Sequence, residues 1–143
     1  MSENGFREER TWKNLHDSVA NLQDFFSKIK VINRDRVAAY TINSIETVEA
    51  FLATSSIGAI WSSCSPDFGV NGVIERFKQI KPKILFITDR YYYNGKEIDI
   101  LKRVPEILKK IKSVKYLVII NYPGKNFLKK NFKFNKTKVF YWS

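Results

Sequence analysis

Residues 57–72 read IGAIWSSCSPDFGVNG, and after Val73 and Ile74 the chain continues ERFKQIKPKILF as far as Phe86. A short apolar run, a polar loop carrying Trp61, Cys64 and the Pro66-Asp67 pair, and an amphipathic segment follow one another directly. In α/β proteins this succession builds a ligand crevice, because strand ends open onto loops and ligands sit outside them.

The same alternation extends to both sides of that stretch. Residues 11–29 place Trp12, Leu15, Val19, Leu22, Phe26 and Ile29 at helical spacing, which predicts an amphipathic helix with one face on a core. Residues 36–41 (RVAAYT) read as a short strand closed by Asn43 and Ser44. Asn43 with Glu46 has capping-box spacing, so a helix is expected over 44–57, burying Val48, Phe51, Leu52 and Ser55 or Ser56. After Gly58, residues 59–62 read as a strand; residues 70–80 then read as a helix with Val73, Phe77 and Ile80 on one face, stopped by Pro82. Residues 83–88 (KILFIT) have the near-continuous apolar character of a strand buried on both faces of a parallel sheet. A helix bent at Pro105 is expected over 98–112, then a second buried strand over 115–120 (KYLVII). Alternation of this kind requires crossover connections and predicts a doubly wound α/β fold with a mostly parallel sheet. Residues 122–143 form a weakly patterned basic tail whose last five residues read as the start of a strand.

Composition narrows the function classes. At 143 residues and 44% apolar, the chain has the size and core of one ordinary domain. No stretch of eighteen apolar residues occurs and the N-terminus is polar, so a cytoplasmic location is expected, with no membrane partner. A lone cysteine and a lone histidine leave neither an internal disulfide nor a zinc cluster. Cys64 is expected to be a reduced, partly buried thiol, and it lacks a base because His16 falls on the polar side of the first helix. Trp61 at a strand end reads as core or rim, and Arg76 as a surface or ion-pairing residue.

The formal net charge of +11 is unevenly spread. Residues 1–100 carry 13 basic and 13 acidic side chains, whereas residues 101–143 carry 12 basic residues against Glu106 alone. Eleven of those 12 are Lys and only Arg103 is Arg, a bias that argues against specific nucleic-acid readout. Two further accounts of the excess are a codon bias toward Lys and Asn and a surface whose acidic complement lies in sequence outside these residues.

Catalytic motifs are few. The six glycines never take the G-x-G-x-x-G spacing of a dinucleotide loop, and Gly124-Lys125 lacks the remainder of a Walker loop. Residue chemistry alone gives a sheet with a crevice and no catalytic group.

Longer motifs add a resemblance. TWKNLHDSVA (11–20), DRVAAY (35–40), NSIET (43–47) and above all SIGAIWSSCSPDFGVNGVIERFKQIKPKILF (56–86) resemble the first part of the adenylating domain of acyl-CoA synthetases, in the AMP-binding adenylate-forming superfamily. The WSSCSPDFGV core and YNGK at 93–96 resemble the acetoacetate-CoA ligases in particular, and the likeness runs over residues 8–121. Members usually have Pro-Gly where this chain has Asn33-Arg34, and Pro where it has Ile45.

The resemblance implies a ligase that joins acetoacetate to ATP with loss of pyrophosphate, then passes the acyl group to coenzyme A with loss of AMP, with Mg²⁺ at the phosphates. It implies that residues 1–143 are a partial N-terminal AMP-binding domain truncated at both ends, without catalytic residues, inactive alone, with no tightly bound cofactor, and missing the remainder of the adenylation domain and a C-terminal domain. An unpaired sheet edge and a tendency to aggregate are expected of such a piece. By motif, Pro66, Asp67, Tyr93 and Lys96 would approach the nucleotide end of coenzyme A, Lys96 offsetting the 3′-phosphate and Tyr93 stacking on adenine or donating its hydroxyl; an ordinary surface turn is the other reading. A sibling short-chain acyl-CoA ligase and a stand-alone basic module for RNA or membrane are the alternative functions.

Overall fold

A computed structural model describes residues 5–126, 132–134 and 136–142. In chain order its elements are α1 (Trp12–Lys28), β1 (Arg36–Tyr40), α2 (Ile45–Ser56), β2 (Ile60–Cys64), α3 (Val70–Ile80), β3 (Ile84–Thr88), β4 (Arg90–Tyr93), β5 (Lys96–Asp99), a 3₁₀ turn (Leu101–Arg103), α4 (Val104–Lys110), β6 (Tyr116–Ile120) and β7 (Lys138–Tyr141).

Five strands form a sheet in the order β2-β1-β3-β6-β7, every neighbouring pair parallel. Side chains alternate between its faces, as the pleat requires. Val37, Ala39, Ile84, Phe86, Val118 and Ile120 pack beneath α1 and α2, with Leu22, Phe26, Ala50 and Ala53. Ala38, Tyr40, Leu85, Ile87, Leu117 and Ile119 pack beneath α3 and α4, with Val73, Phe77, Val104 and Ile107. All five residues of β3 are buried, in keeping with its unbroken apolar run. The crossover through α2 runs to one side of β1 and those through α3 and α4 to the other. Right-handed connections then put α2 on the opposite face of the sheet from α3 and α4.

The doubly wound parallel architecture, α3 and the strands β1, β3 and β6 agree with the sequence expectations to within a residue or two. Four local readings are corrected. The N-cap of α2 is Ser44, whose side chain accepts from the Thr47 amide at 3.3 Å, rather than Asn43. That helix buries Glu49, Ala50, Ala53 and Thr54, while Val48, Phe51 and Leu52 remain 51%, 44% and 36% exposed. Its small stripe lies close against α1 and the sheet, and its bulky stripe, at the same period, faces outward. The second strand runs two residues past Ser62 and takes in Cys64. Residues 98–112 are not one bent helix: Ile98 and Asp99 close an antiparallel hairpin of β4 with β5, and Pro105 sits in the first turn of α4, where its missing N–H costs nothing.

The sheet edges are β2 and β7, and Ile60 on β2 is half exposed. The strand expected at 139–143 is β7, starting one residue earlier and ending at Tyr141, with Ser143 outside the described residues. Among the described residues, no helix is long and apolar enough to cross a membrane, and no cluster of His, Cys, Asp and Glu could hold a metal.

Candidate functional site

Strand order reverses between β1 and β3: from β1 the chain moves outward to β2, then back across β1 to β3. At such a reversal the connections leave the carboxyl ends of adjacent strands in opposite directions, and a crevice opens between them. Here it has a volume of about 440 Å³. It is lined by Thr41, Ile42 and Asn43 after β1, by Ser63, Cys64, Ser65, Pro66 and Asp67 at the end of β2, and by Tyr91, Tyr92 and Tyr93 of β4.

The loop after β2 is held from inside and from below. Ser65 Oγ donates to Asp67 Oδ2 at 2.9 Å and accepts the Asp67 amide at 3.3 Å, and the Phe68 amide closes a turn on the Ser65 carbonyl at 3.1 Å. Beneath the turn, the fully buried Tyr40 brings its hydroxyl to 3.0 Å from the Pro66 carbonyl and 2.7 Å from that of Phe68. Arg103 Nη1 reaches the same two carbonyls at 3.0 and 3.3 Å and donates to the Tyr40 hydroxyl as well. Burial pushes the Tyr40 phenol up, against the pull of Arg103, so it stays neutral and able to donate. Arg76 stacks 5.0 Å from the centroid of the Phe68 ring.

The wall opposite is the β4–β5 hairpin. Its turn, Asn94-Gly95, has φ of 51° and 74°, the paired positive values of a two-residue type I′ turn. Its base is fixed by a buried ion pair: Asp89 Oδ2 accepts from Arg90 Nη2 at 2.9 Å while Oδ1 accepts the Tyr122 amide at 2.9 Å, which ties the hairpin to the end of β6. Burial opposes the Arg90 charge, but the hydrogen bonds and charges of Asp89 and Glu97 together outweigh it and hold the guanidinium above its usual range.

Of the four residues singled out from sequence, Pro66, Asp67 and Tyr93 line this one crevice. Lys96 stands directly across the hairpin from Tyr93, exposed beside the rim. Tyr93 is 61% exposed, so its ring is available to a ligand. Thr41, only 6% exposed, lines the crevice and has a buried hydroxyl with no hydrogen-bond partner among the described residues. A buried hydroxyl of this kind favours a ligand that can bond it. Sequence reasoning missed Thr41, Tyr40, Arg103 and the Asp89-Arg90 pair. The one available signal was Arg103, the single arginine in the lysine-rich last third.

Nucleophilic chemistry is not what the crevice offers. Cys64 is buried, and burial pushes its thiol up to about 11 despite the nearby charge of Arg76. His16 stands exposed on α1, beside Asp17. Trp61 is half-buried, its ring 6.0 Å from Phe51 and 6.2 Å from Phe86, a packing role. The arrangement suits binding: a shallow polar cleft with one exposed aromatic, one carboxylate, one buried hydroxyl and a lysine at its rim.

Comparison with known proteins is consistent with that geometry. The family model described as AMP-binding enzyme matches residues 4–139. Acetoacetyl-CoA synthetase of Gallus gallus is 46% identical over 112 residues, covering 78% of this chain and 17% of its own length. Acetoacetyl-coenzyme A synthetase of Rhizobium meliloti (strain 1021) is 45% identical over 114 residues, covering 80% of this chain and again 17% of its own length. The solved acetoacetyl-CoA synthetase from Streptomyces lividans superposes with a TM-score of 0.86 at 32% identity over 99% of this chain and 21% of that one. The chain therefore spans about a sixth of the length of the curated relatives it matches.

Proposed function

The chain belongs to the AMP-binding enzyme family, and from that premise we propose that it is the part of an acetoacetate-CoA ligase that receives the nucleotide end of coenzyme A, in a cytoplasmic enzyme. In the reaction of such a ligase, a carboxylate oxygen of acetoacetate bonds the α-phosphorus of ATP and pyrophosphate leaves. The thiol of coenzyme A then bonds the acyl carbon, and AMP leaves with the carboxylate oxygen. Mg²⁺ would neutralise phosphate charge in the first step.

The residues of this chain bind and orient. The Lys96 ammonium can offset a phosphate monoester, as a point charge on a flexible stem. Tyr93 can stack on a purine face or donate its hydroxyl. Asp67, held by Ser65, can accept from a ribose hydroxyl or an exocyclic amine, and Pro66 supplies an apolar edge. Thr41 lines the same cleft. The observation that supports this reading is the convergence of the Pro66-Asp67 pair and the sequence-distant Tyr93 on one crevice at the strand-order reversal.

In an active ligase carrying this segment, Lys96→Glu should raise the KM for coenzyme A about tenfold, the cost of reversing one charge beside a phosphate, and leave the KM for ATP unchanged. An unaltered coenzyme A KM would remove Lys96 from the site. The 143-residue chain by itself should release no pyrophosphate from ATP and acetoacetate, because no Ser/Thr/Gly-rich loop ending in Lys occurs in it.

A further inference from the structure

The charge excess of the last third has a definite place in the fold. Lys109, Lys110 and Lys112 at the end of α4 and Lys78 and Lys81 at the end of α3 rim one concavity of about 600 Å³, with Ser113 and Ile111 in its wall. It lies at the amino-terminal ends of β3 and β6, the opposite end of the sheet from the crevice. No acidic residue lines it, and none of the five lysines forms an ion pair among the described residues.

Helix capping does not account for the two lysines at the end of α3. The last carbonyls of α3 are already taken: Arg36 donates through Nε to Ile80 at 3.0 Å and through Nη2 to Lys81 at 3.1 Å. Lys83, the nearby lysine that is engaged, pairs with Asp35 at 2.6 Å and does not line the cup. Lys81 holds the left-handed position that ends α3, φ 50°, where glycine is the usual occupant. The Ser113 hydroxyl oxygen is buried with no partner among the described residues. Five like charges around one hollow repel each other, and an anion of high charge density relieves that repulsion.

We propose that this cup is a second binding site, for a compact anion carrying two or more phosphate groups. Its volume falls in the range of small-molecule sites. Its cations are all ammonium groups, which serve as point charges for phosphate without the paired geometry of guanidinium. No aromatic side chain lines it, so it has no platform for a base. A neighbouring groove that shares Lys112 and adds Lys115, Tyr116, Lys136 and Lys138 supplies the contrast, since a nucleic-acid strand would need both.

The test uses the full 143-residue chain and inorganic tripolyphosphate at low salt, followed by amide chemical shifts. Saturable one-to-one binding is expected, with shifts confined to residues 78–81 and 109–113. The double variant Lys78→Glu with Lys110→Glu should weaken it by about tenfold or more, whereas Lys136→Glu should change it less than about twofold. Absence of saturation, or shifts spread over every lysine, would overturn the proposal. So would tighter binding of poly(U) that Lys136→Glu weakens as much as the double variant does, which would make the whole surface a nucleic-acid track.

Discussion

Arg103, in the 3₁₀ turn before α4, donates a hydrogen bond to the hydroxyl of Tyr40, the last residue of β1, and both side chains hold the carbonyls of Pro66 and Phe68. One buried contact thus joins the end of the central strand, the loop after its neighbour and the start of α4. Tyr40→Phe should cost about 1–2 kcal/mol, since it removes a buried hydroxyl that donates to one of these carbonyls and accepts from Arg103. Arg103→Met should cost a similar amount. The double variant should cost less than their sum by at least about 0.5 kcal/mol, as expected for residues that share partners. Urea denaturation of the four proteins measures this, and strict additivity would show that the contact carries no coupling.

Two left-handed residues flank the entry to the sheet with opposite consequences. Gly58 has φ 71°, and a Cβ there would lie 2.1 Å from the Asn33 amide nitrogen. Asn33 is exposed and can swing aside, so the backbone decides the cost: Gly58→Ala should destabilise by about 1–2 kcal/mol. Arg34, at φ 66°, is a non-glycine residue in the left-handed region that favours glycine. Arg34→Gly should stabilise by up to about 1 kcal/mol and raise Tm by roughly 3 °C. Calorimetry of both variants checks the pair, and a lower Tm for Arg34→Gly would contradict the strain argument.

Cys64 should behave as an inert thiol at neutral pH. Its pKa is raised from 9.0 to about 11 by burial, so iodoacetamide at pH 8 should modify it far more slowly in the native than in the unfolded chain. The linkage sign follows from the same shift. Above pH 9 the unfolded thiol gives up its proton while the folded one keeps it, so stability falls between pH 9 and 11. Cys64→Ala should flatten that part of the pH–stability curve, and an unchanged slope would show that the thiol does not contribute.

Periodicity made the layers legible and left the long-range contacts hidden. Residues 84–87 and 117–120 are apolar at every position, and no amphipathic reading competes, so both strands stand where expected. In α2 two stripes share one helical period, and hydrophobicity favoured Val48, Phe51 and Leu52 over the smaller Ala50, Ala53 and Thr54 that pack inside. The hairpin is obscured because its strands are four residues long and its second strand overlaps the start of the helix expected over 98–112. Pro66, Asp67 and Tyr93 were reachable through a family pattern. Tyr40 and Arg103 were not, because their meeting depends on how α4 lies over β1, which no local spacing encodes.

The order β2-β1-β3-β6-β7 has a kinetic consequence. No two adjacent strands of this sheet can zip from a tight turn; each must wait for a crossover to close. Val37 faces Ile84 across a ladder whose halves are separated by two helices and another strand. Only the β4–β5 hairpin is local, and such hairpins form in microseconds, whereas pairing at long sequence separation is slow. During synthesis β1 therefore emerges first and must remain without its inner neighbour until β3 follows. In that interval its apolar faces are open to other nascent chains, and a holding chaperone would have most effect on this protein then.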